Sequence, residues 1–180
     1  MRIKVISYSM TGNNDALADR IAAELSAEHI RITEKNPRTM GTIAADMIFN
    51  RTPQIHQSLD LVKDGDLVVF MGPVWMGHVA APLRACFKQL KGKPVQYAFC
   101  SISGGADGPN PKLAGDLSKR MGEAPVALVD LHIADLLPAN PKPTREDTSS
   151  YHLKEADVTG LVGRMVEALQ GAIAPVQGAA

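Results

Sequence analysis

Hydrophobic positions along the chain fall into two alternating rhythms. Short runs rich in β-branched residues occupy residues 3–8, 67–71, 95–100 and 126–133, and the first three lack the in/out alternation of a half-exposed strand. They predict strands buried on both faces. Residues 29–33 alternate better, which fits a strand nearer the sheet edge. Between these runs apolar residues recur at three- and four-residue spacing: Leu17, Ala18, Ile21 and Leu25; Met40, Ile43, Ala44, Met47 and Ile48; Val79, Leu83, Phe87 and Leu90; Leu113, Leu117 and Met121; and Val158, Leu161, Val162, Met165 and Leu169. Each set marks one face of a helix. Strand and helix alternate five times. Parallel neighbours need right-handed crossovers, so this order predicts an α/β fold with a parallel sheet covered by helices on both faces.

No repeat and no domain boundary interrupts the pattern, which predicts a single domain over residues 1–173. Residues 134–153, "ADLLPANPKPTREDTSSYHL", are rich in proline and polar residues and read as a loop insertion between the last strand and the last helix. A connection this long is either functional or a surface excursion. Residues 174–180 are small and apolar without periodicity and read as a fraying tail.

Composition narrows the function classes. The 180 residues are 45% hydrophobic, enough for one domain with a real core, and 19 basic residues balance 19 acidic ones. No net field recruits nucleic acid or an anionic membrane. Cys86 and Cys100 are too far apart for a Cys-x-x-Cys site and too few for a disulfide framework, which predicts a reducing, cytoplasmic setting. No apolar stretch approaches the roughly 20 residues of a spanning helix, and the chain opens directly on a strand-like run, so neither a membrane span nor export is expected. No His, Cys and carboxylate cluster has metal-ligand spacing, and no Ser-His-Asp set can be assigned to one rim.

The first strand runs into "YSMTGNND", residues 8–15. A turn from a buried strand into a helix aims the helix's free amides and the positive end of its dipole above the sheet edge, which makes an anion site. Ser9, Thr11, Asn13 and Asn14 can add neutral donors, and Gly12 lets a bound group approach the backbone. The turn has no Gly-Lys-Ser/Thr and no G-x-G-x-x-G, which favours one terminal phosphate over a nucleoside triphosphate or a pyrophosphate. Ser, Thr and Asn also cap helices with no ligand present, so the turn alone leaves both readings open. Two further glycine-bearing loops, "GPVWMGHVAAP" (residues 72–82) and "SISGGADGPNP" (residues 101–111), follow the third and fourth strands. In a parallel sheet all three loops leave at the carboxyl edge, where ligands bind.

With these motifs the sequence resembles the flavodoxin-like FMN proteins over most of residues 1–133. "SYSMTGNND" resembles their phosphate loop, usually Ser/Thr-x-Thr-Gly-Asn-Thr-Glu, "GPVWMGH" the loop beside the flavin rings, and "SISGGADG" the loop on the pyrimidine side. The resemblance implies a flavodoxin-like three-layer α/β/α sandwich with a five-stranded parallel sheet in the order 2-1-3-4-5. It further implies that Ser9, Thr11, Gly12, Asn13 and Asn14 hold the FMN phosphate, with the backbone amide of Met10. Asn14 stands where threonine is usual. Pro73 and Val74 would lead into Trp75 and Met76 against the ring, and Gly77 resembles the glycine whose peptide reorients on flavin reduction. Ser101, Ile102, Ser103, Gly104 and Gly105 would face the pyrimidine edge, where amides and hydroxyls shift the redox potential.

The departures bear on what such a flavin would do. The third loop offers no second aromatic, leaving one ring face open, and the neutral chain lacks the acidic charge that steers carrier flavodoxins to basic partners. Both features fit an FMN-dependent oxidoreductase passing electrons from NAD(P)H to a quinone-like or other small acceptor. The alternatives are an electron carrier for a redox protein partner, and a binding or regulatory domain that keeps the fold without flavin. A homodimer is compatible with each.

His78 is a weak catalytic candidate as a proton donor, against the plainer role of capping or solvating the following helix. His132 reads as structural and Cys100 as a small buried residue. Arg51 and His56 can approach the active edge without any spacing that requires it. Tyr151 or His152 would line a substrate pocket or a subunit contact if residues 134–153 fold over the rim.

Overall fold

The computed structural model describes residues 2–36 and 39–177. Strand β1 (Ile3–Ser7) lies between β2 (Glu28–Arg31) and β3 (Leu67–Met71). A two-residue-strand hairpin, β4 (Val74–Trp75) and β5 (His78–Val79), forms its own small antiparallel sheet. The main sheet continues through β6 (Gln96–Ser103) to β7 (Leu128–His132), in the order β2-β1-β3-β6-β7 with every pair parallel. Counting only its own strands, the order is 2-1-3-4-5. The switch in direction falls between β1 and β3, so the loops after these two strands diverge and leave a crevice.

The helices sit close to where the periodicity puts them, except that Val79, expected on the third helical face, belongs to β5: α1 (Asn13–Glu24), α2 (Met40–Ile48), α3 (Ala81–Leu90), α4 (Leu113–Met121) and, after a short α5 (Arg145–Ser150), α6 (Glu155–Gln177). Side chains alternate across the sheet and build two cores. On one face Val5, Val69 and Cys100 pack with Leu17 and Ile21 of α1 and Leu161 and Met165 of α6. On the other Ile6, Phe70 and Phe99 pack with Leu83 and Phe87 of α3 and Leu117 of α4. Phe70 and Phe87 meet edge to face at 4.6 Å, the preferred aromatic geometry. Burial of this apolar surface on both sides holds the three layers together.

Several sequence expectations need adjustment. The strand expected over residues 95–100 runs on to Ser103, because Ser101, Ile102 and Ser103 pair with Asp130, Leu131 and His132 of β7. Ladder pairing overrides the low strand preference of serine. Residues 134–153 are only partly loop. They hold a 3-10 turn (Ile133–Leu136) and α5, whose start carries a reciprocal cap: Thr144 Oγ1 accepts from the Asp147 amide at 3.2 Å, and Asp147 Oδ2 accepts from the Thr144 amide at 2.8 Å. The expected tail does not begin at residue 174, since the α6 backbone stays helical to Gln177; residues 178–180 lie outside the described residues. Helix α2 packs mainly on α3, and leaves Ile48 and the following Phe49 largely exposed. No helix among the described residues is long and apolar enough to cross a membrane.

Candidate functional site

The site starts at the carboxyl end of β1. The Tyr8 amide still donates to Met71 O at 2.9 Å, and then the chain leaves the sheet. Ser9 Oγ turns back to accept from the Asn14 amide at 3.2 Å, and Gly12, with φ of 88°, swings the backbone into α1. Such a φ suits glycine. The amides of Met10, Thr11, Gly12 and Asn13 have no acceptor among the described residues, which is the donor-rich helix start that the turn predicts.

The side chains of the two asparagines, both in the cavity lining, also fasten the turn to the rest of the protein. Asn14 is buried, and its amide group clamps the end of β6 from both sides: Nδ2 donates to Ile102 O at 2.9 Å while Oδ1 accepts from the Ile102 amide at 3.1 Å. Asn13 does the same for the approach to α6, donating to Tyr151 O at 2.8 Å and accepting from the Leu153 amide at 3.0 Å. Each amide group therefore commits its oxygen and one of its two N–H donors to the protein. What residues 10–14 offer a ligand is chiefly main-chain amides together with Thr11, whose hydroxyl has no partner among the described residues.

The second wall is the β4–β5 hairpin. Met76 and Gly77, at its tip, have φ of 52° and 78°, the doubly positive combination of a type I′ turn. Glycine fits; a methionine there is unusual and stands 75% exposed. Trp75 is half-buried and meets Tyr8 edge-on, with ring centroids 6.0 Å apart. Tyr8 in turn donates to Glu34 Oε2 at 3.1 Å. The third wall is the end of β6 and the loop after it. A Cβ on Gly105 would lie 2.3 Å from His132 Cβ, so the loop can rest on the His132 side chain only as glycine. Asn110 Nδ2 fixes the far end of the loop, donating to Asp130 Oδ2 at 2.8 Å.

These three walls enclose one cavity of about 710 Å³, within the usual range for a small-molecule site. Met10, Thr11, Asn13, Asn14, residues 73–77 and residues 102–105 all line it. Ser9, Gly12 and Ser101 are not in the lining; Ser101 lies inside β6, fully buried, its Oγ without a partner among the described residues. The sequence did not point to Ile43 of α2, nor to the fourth wall, which is α5. Arg145, Thr148 and Ser149 line the cavity there, with Thr148 against Gly104. Residues 134–153 thus do fold over the rim, but Tyr151 and His152 are not in the lining; Tyr151 Oη instead donates to Asp157 Oδ2 at 2.8 Å. The Thr144-Arg-Glu-Asp147 cap was the legible sign of that helix.

Charge at the cavity is modest. Arg145 and Asp107 pair with each other at 2.9 Å, and Asp15, in the first turn of α1, accepts from Ser7 Oγ at 2.5 Å. Ser7 Oγ also lies 2.7 Å from His29 Nε2, and His29 Nδ1 lies 2.8 Å from Asp19 Oδ1. This has the connectivity of a Ser-His-Asp triad, but Ser7 is 0% exposed and no substrate can reach it, so the chain of contacts braces α1 against β1 and β2. Burial pushes the Asp19 carboxyl up, but hydrogen bonds and charge from His29 and Arg31 outweigh it and hold it below the ordinary carboxylate value.

His78 does not face the cavity. It turns to α4, where its Nδ1 lies 3.1 Å from Asp116 Oδ1, close enough for an ion pair but not aligned as a hydrogen bond. Cys86 and Cys100 are buried, and burial pushes both thiols up to about 12, which removes them as nucleophiles. Arg51 and His56 are absent from the lining. No cluster of three potential metal ligands occurs among the described residues.

No family model matches the chain, and no curated protein matches it. Solved structures do. A flavoprotein from Lactobacillus acidophilus, crystallised in complex with FMN, superposes with a TM-score of 0.60 at 19% identity, covering 72% of this chain and 92% of that one. Provisionally assigned flavoproteins from Bacteroides uniformis and Bacteroides eggerthii superpose with TM-scores of 0.59 and 0.58 at 15% and 13% identity, covering 82% and 83% of this chain and 94% of each of theirs. At such identities the likeness speaks to architecture. Together with the parallel order 2-1-3-4-5 and the crevice at its switch point, it establishes that this chain has the flavodoxin-like three-layer α/β/α fold.

Proposed function

We propose that the protein is an FMN-dependent redox protein, and that it passes electrons from NAD(P)H to a quinone-like or other small acceptor. The observation that carries this reading is the convergence, on one cavity of about 710 Å³, of an unpartnered amide turn, an aromatic hairpin and a glycine-bearing loop. The donor set fits FMN in particular. A turn with four main-chain amides and no lysine or arginine suits one phosphate group, and the carboxylate that follows it in sequence, Asp15, is tied to Ser7. The likeness to a flavoprotein that binds FMN supports the same ligand.

When bound, FMN supplies reversible electron or hydride transfer. The residues of the chain then hold and cover it. The amides of residues 10–13 hold the phosphate. Trp75 and Met76 give the ring an apolar wall, and Ser103, Gly104 and Gly105 face its polar edge with groups that favour negative charge. Arg145, on α5, lines the cavity paired with Asp107.

A second reading is favoured by one observation. Met10 and Met76, both lining the cavity, are 52% and 75% exposed. An apolar margin of this kind fits the docking of a redox protein, with the flavin as an electron carrier. Titration with FMN and with riboflavin tests the cofactor: the phosphate contributes at least ~2.7 kcal/mol, a factor of about 100 in Kd. Equal affinity for the two would defeat the phosphate assignment. Anaerobic mixing of the reconstituted protein with NADPH or NADH then separates the readings. Rapid bleaching of the flavin's visible absorbance supports the oxidoreductase, and reduction only through an added reductase supports the carrier.

A further inference from the structure

Behind the hairpin a second hollow of about 460 Å³ runs between α3 and α4. Five cationic side chains line it against one carboxylate, in a chain whose total charge is zero. Two of the cations are already committed. Arg84 is buried and donates to Val79 O at 3.3 Å and to Asp46 O at 3.2 Å. Arg120 is anchored by Asp116, with Nε 3.0 Å from Oδ2, and by Asn50 Oδ1 at 2.9 Å. Asp116 is itself fully engaged, since it also accepts from the Val79 amide at 3.2 Å. The lining carboxylate is therefore not available to the remaining three cations.

Those three are Lys88 and Lys91 of the α3 end and Lys119 of α4. All are exposed, and none has a hydrogen-bond or ion-pair partner among the described residues. Lysines in the last turns of helices complement the helix dipole, and that accounts for cations near these ends. It does not account for their meeting in one hollow with a held arginine. From Arg84 to Lys91 the cationic side of α3 extends roughly 10 Å, at 1.5 Å per residue. An extended row of point charges along the hollow suits a short chain of phosphates, which lysine binds without the planar fork a carboxylate selects.

We propose that this hollow is a binding site for a small molecule carrying two or more linked phosphates. It is separate from the rim cavity: the two linings share no residue. The site does not depend on the flavin reading, and a nucleotide ligand would place a second phosphate-recognising surface on the other side of the hairpin that carries Trp75.

The experiment is a titration of the full chain, isotope-labelled, with sodium pyrophosphate, ADP, NADPH and orthophosphate, followed by amide shifts and by calorimetry. The wild type is compared with Lys88→Gln/Lys91→Gln/Lys119→Gln, whose substitutions are all on exposed side chains. The expected result is pyrophosphate binding at millimolar or tighter Kd, at least tenfold tighter than orthophosphate. Shifts should cluster at Lys88, Lys91 and Lys119, and affinity should fall at least tenfold in the triple variant. ADP or NADPH binding tighter than pyrophosphate identifies a nucleotide; equal affinities identify a ligand read by its phosphates alone. Pyrophosphate shifts confined to residues 10–14, undiminished affinity in the triple variant, or tighter binding of a polyglutamate peptide than of any phosphate would each overturn the proposal. Far-UV circular dichroism confirms that the variant is folded, and pyrophosphate binding unaltered by 0.3 M salt counts against it as well.

Discussion

Asn14→Ala separates fastening from binding at the first turn of α1. The wild-type side chain makes two buried hydrogen bonds to one residue, Ile102, on a strand 88 positions away. Alanine removes both and strands a buried backbone N–H and C=O, each costing about 1–3 kcal/mol when left unpaired. The helix preference of alanine offsets up to ~0.7 kcal/mol of this, leaving a net loss of about 3 kcal/mol. For a chain of this size that lowers Tm by roughly 6–12 °C, at about 2–4 °C per kcal/mol, and urea unfolding gives the free energy directly. Because the end of β6 also lines the cavity, affinity for any flavin drops somewhat. The ratio of riboflavin Kd to FMN Kd is the discriminating readout, since it isolates the phosphate. With the Asn14 side chain turned to Ile102, the ratio stays within about threefold of wild type, below ~0.7 kcal/mol. Unchanged stability together with a tenfold collapse of the ratio would show that the amide group serves the phosphate and that the clamp is wrong.

Three further outcomes follow from local geometry. Gly105 and Gly108 both have positive φ, 74° and 97°, but only a Cβ at Gly105 meets a neighbour, His132, at 2.3 Å. Gly108→Ala therefore costs only backbone strain, about 1 kcal/mol, and Gly105→Ala at least ~2 kcal/mol more; equal losses in urea titrations contradict this packing. Met76→Asn, which suits the first central position of a type I′ turn, raises stability by about 1 kcal/mol by relieving the left-handed backbone, and a fall in Tm refutes the turn assignment. Burial pushes the Asp116 carboxyl up, but Arg120, the Val79 amide and His78 more than offset this and hold it below its ordinary value of 3.8. The stabilisation is therefore complete above the ordinary carboxylate range and disappears as pH falls through the depressed folded value. Asp116→Asn should cost about 2 kcal/mol at pH 7, a gap that closes as pH drops below about 4; a pH-independent gap between wild type and variant counts against the ion pair.

The sheet was legible because its signal is local and repeated. Residues 67–71 are apolar throughout and emerge as β3 at those bounds, and the apolar stripes of α1, α4 and α6 face the two cores. The errors lie where a local signal met a distant partner. Nothing in "SIS" announces a strand; those residues are held by β7 and, at Ile102, by Asn14. The stripe at Met40 to Ile48 was a helix as expected, but periodicity reports that a face is apolar and not what covers it, and α2 rests on α3 with Ile48 in the open. The second hollow was illegible for the same reason. Lys88, Lys91 and Lys119 are ordinary surface lysines in the sequence, and only the packing of α3 on α4 gives them a common space.

The motif at residues 8–15 shows why a phosphate-loop sequence is easier to read than its chemistry. Side chains that could donate to an anion can equally fasten the loop, and the sequence does not distinguish the two uses. Here Asn13 and Asn14 fasten it at two points, to the approach to α6 and to β6, while Ser9 closes the turn from below. On the proposed phosphate reading, that division of labour makes the main-chain amides, which every residue but proline possesses, the principal donors, beside the Thr11 hydroxyl. Tolerance should follow from it. A phosphate held by amides survives exchange of Thr11 better than exchange of Gly12, because Gly12 at φ 88° sets where the amides point and no side chain can restore that direction.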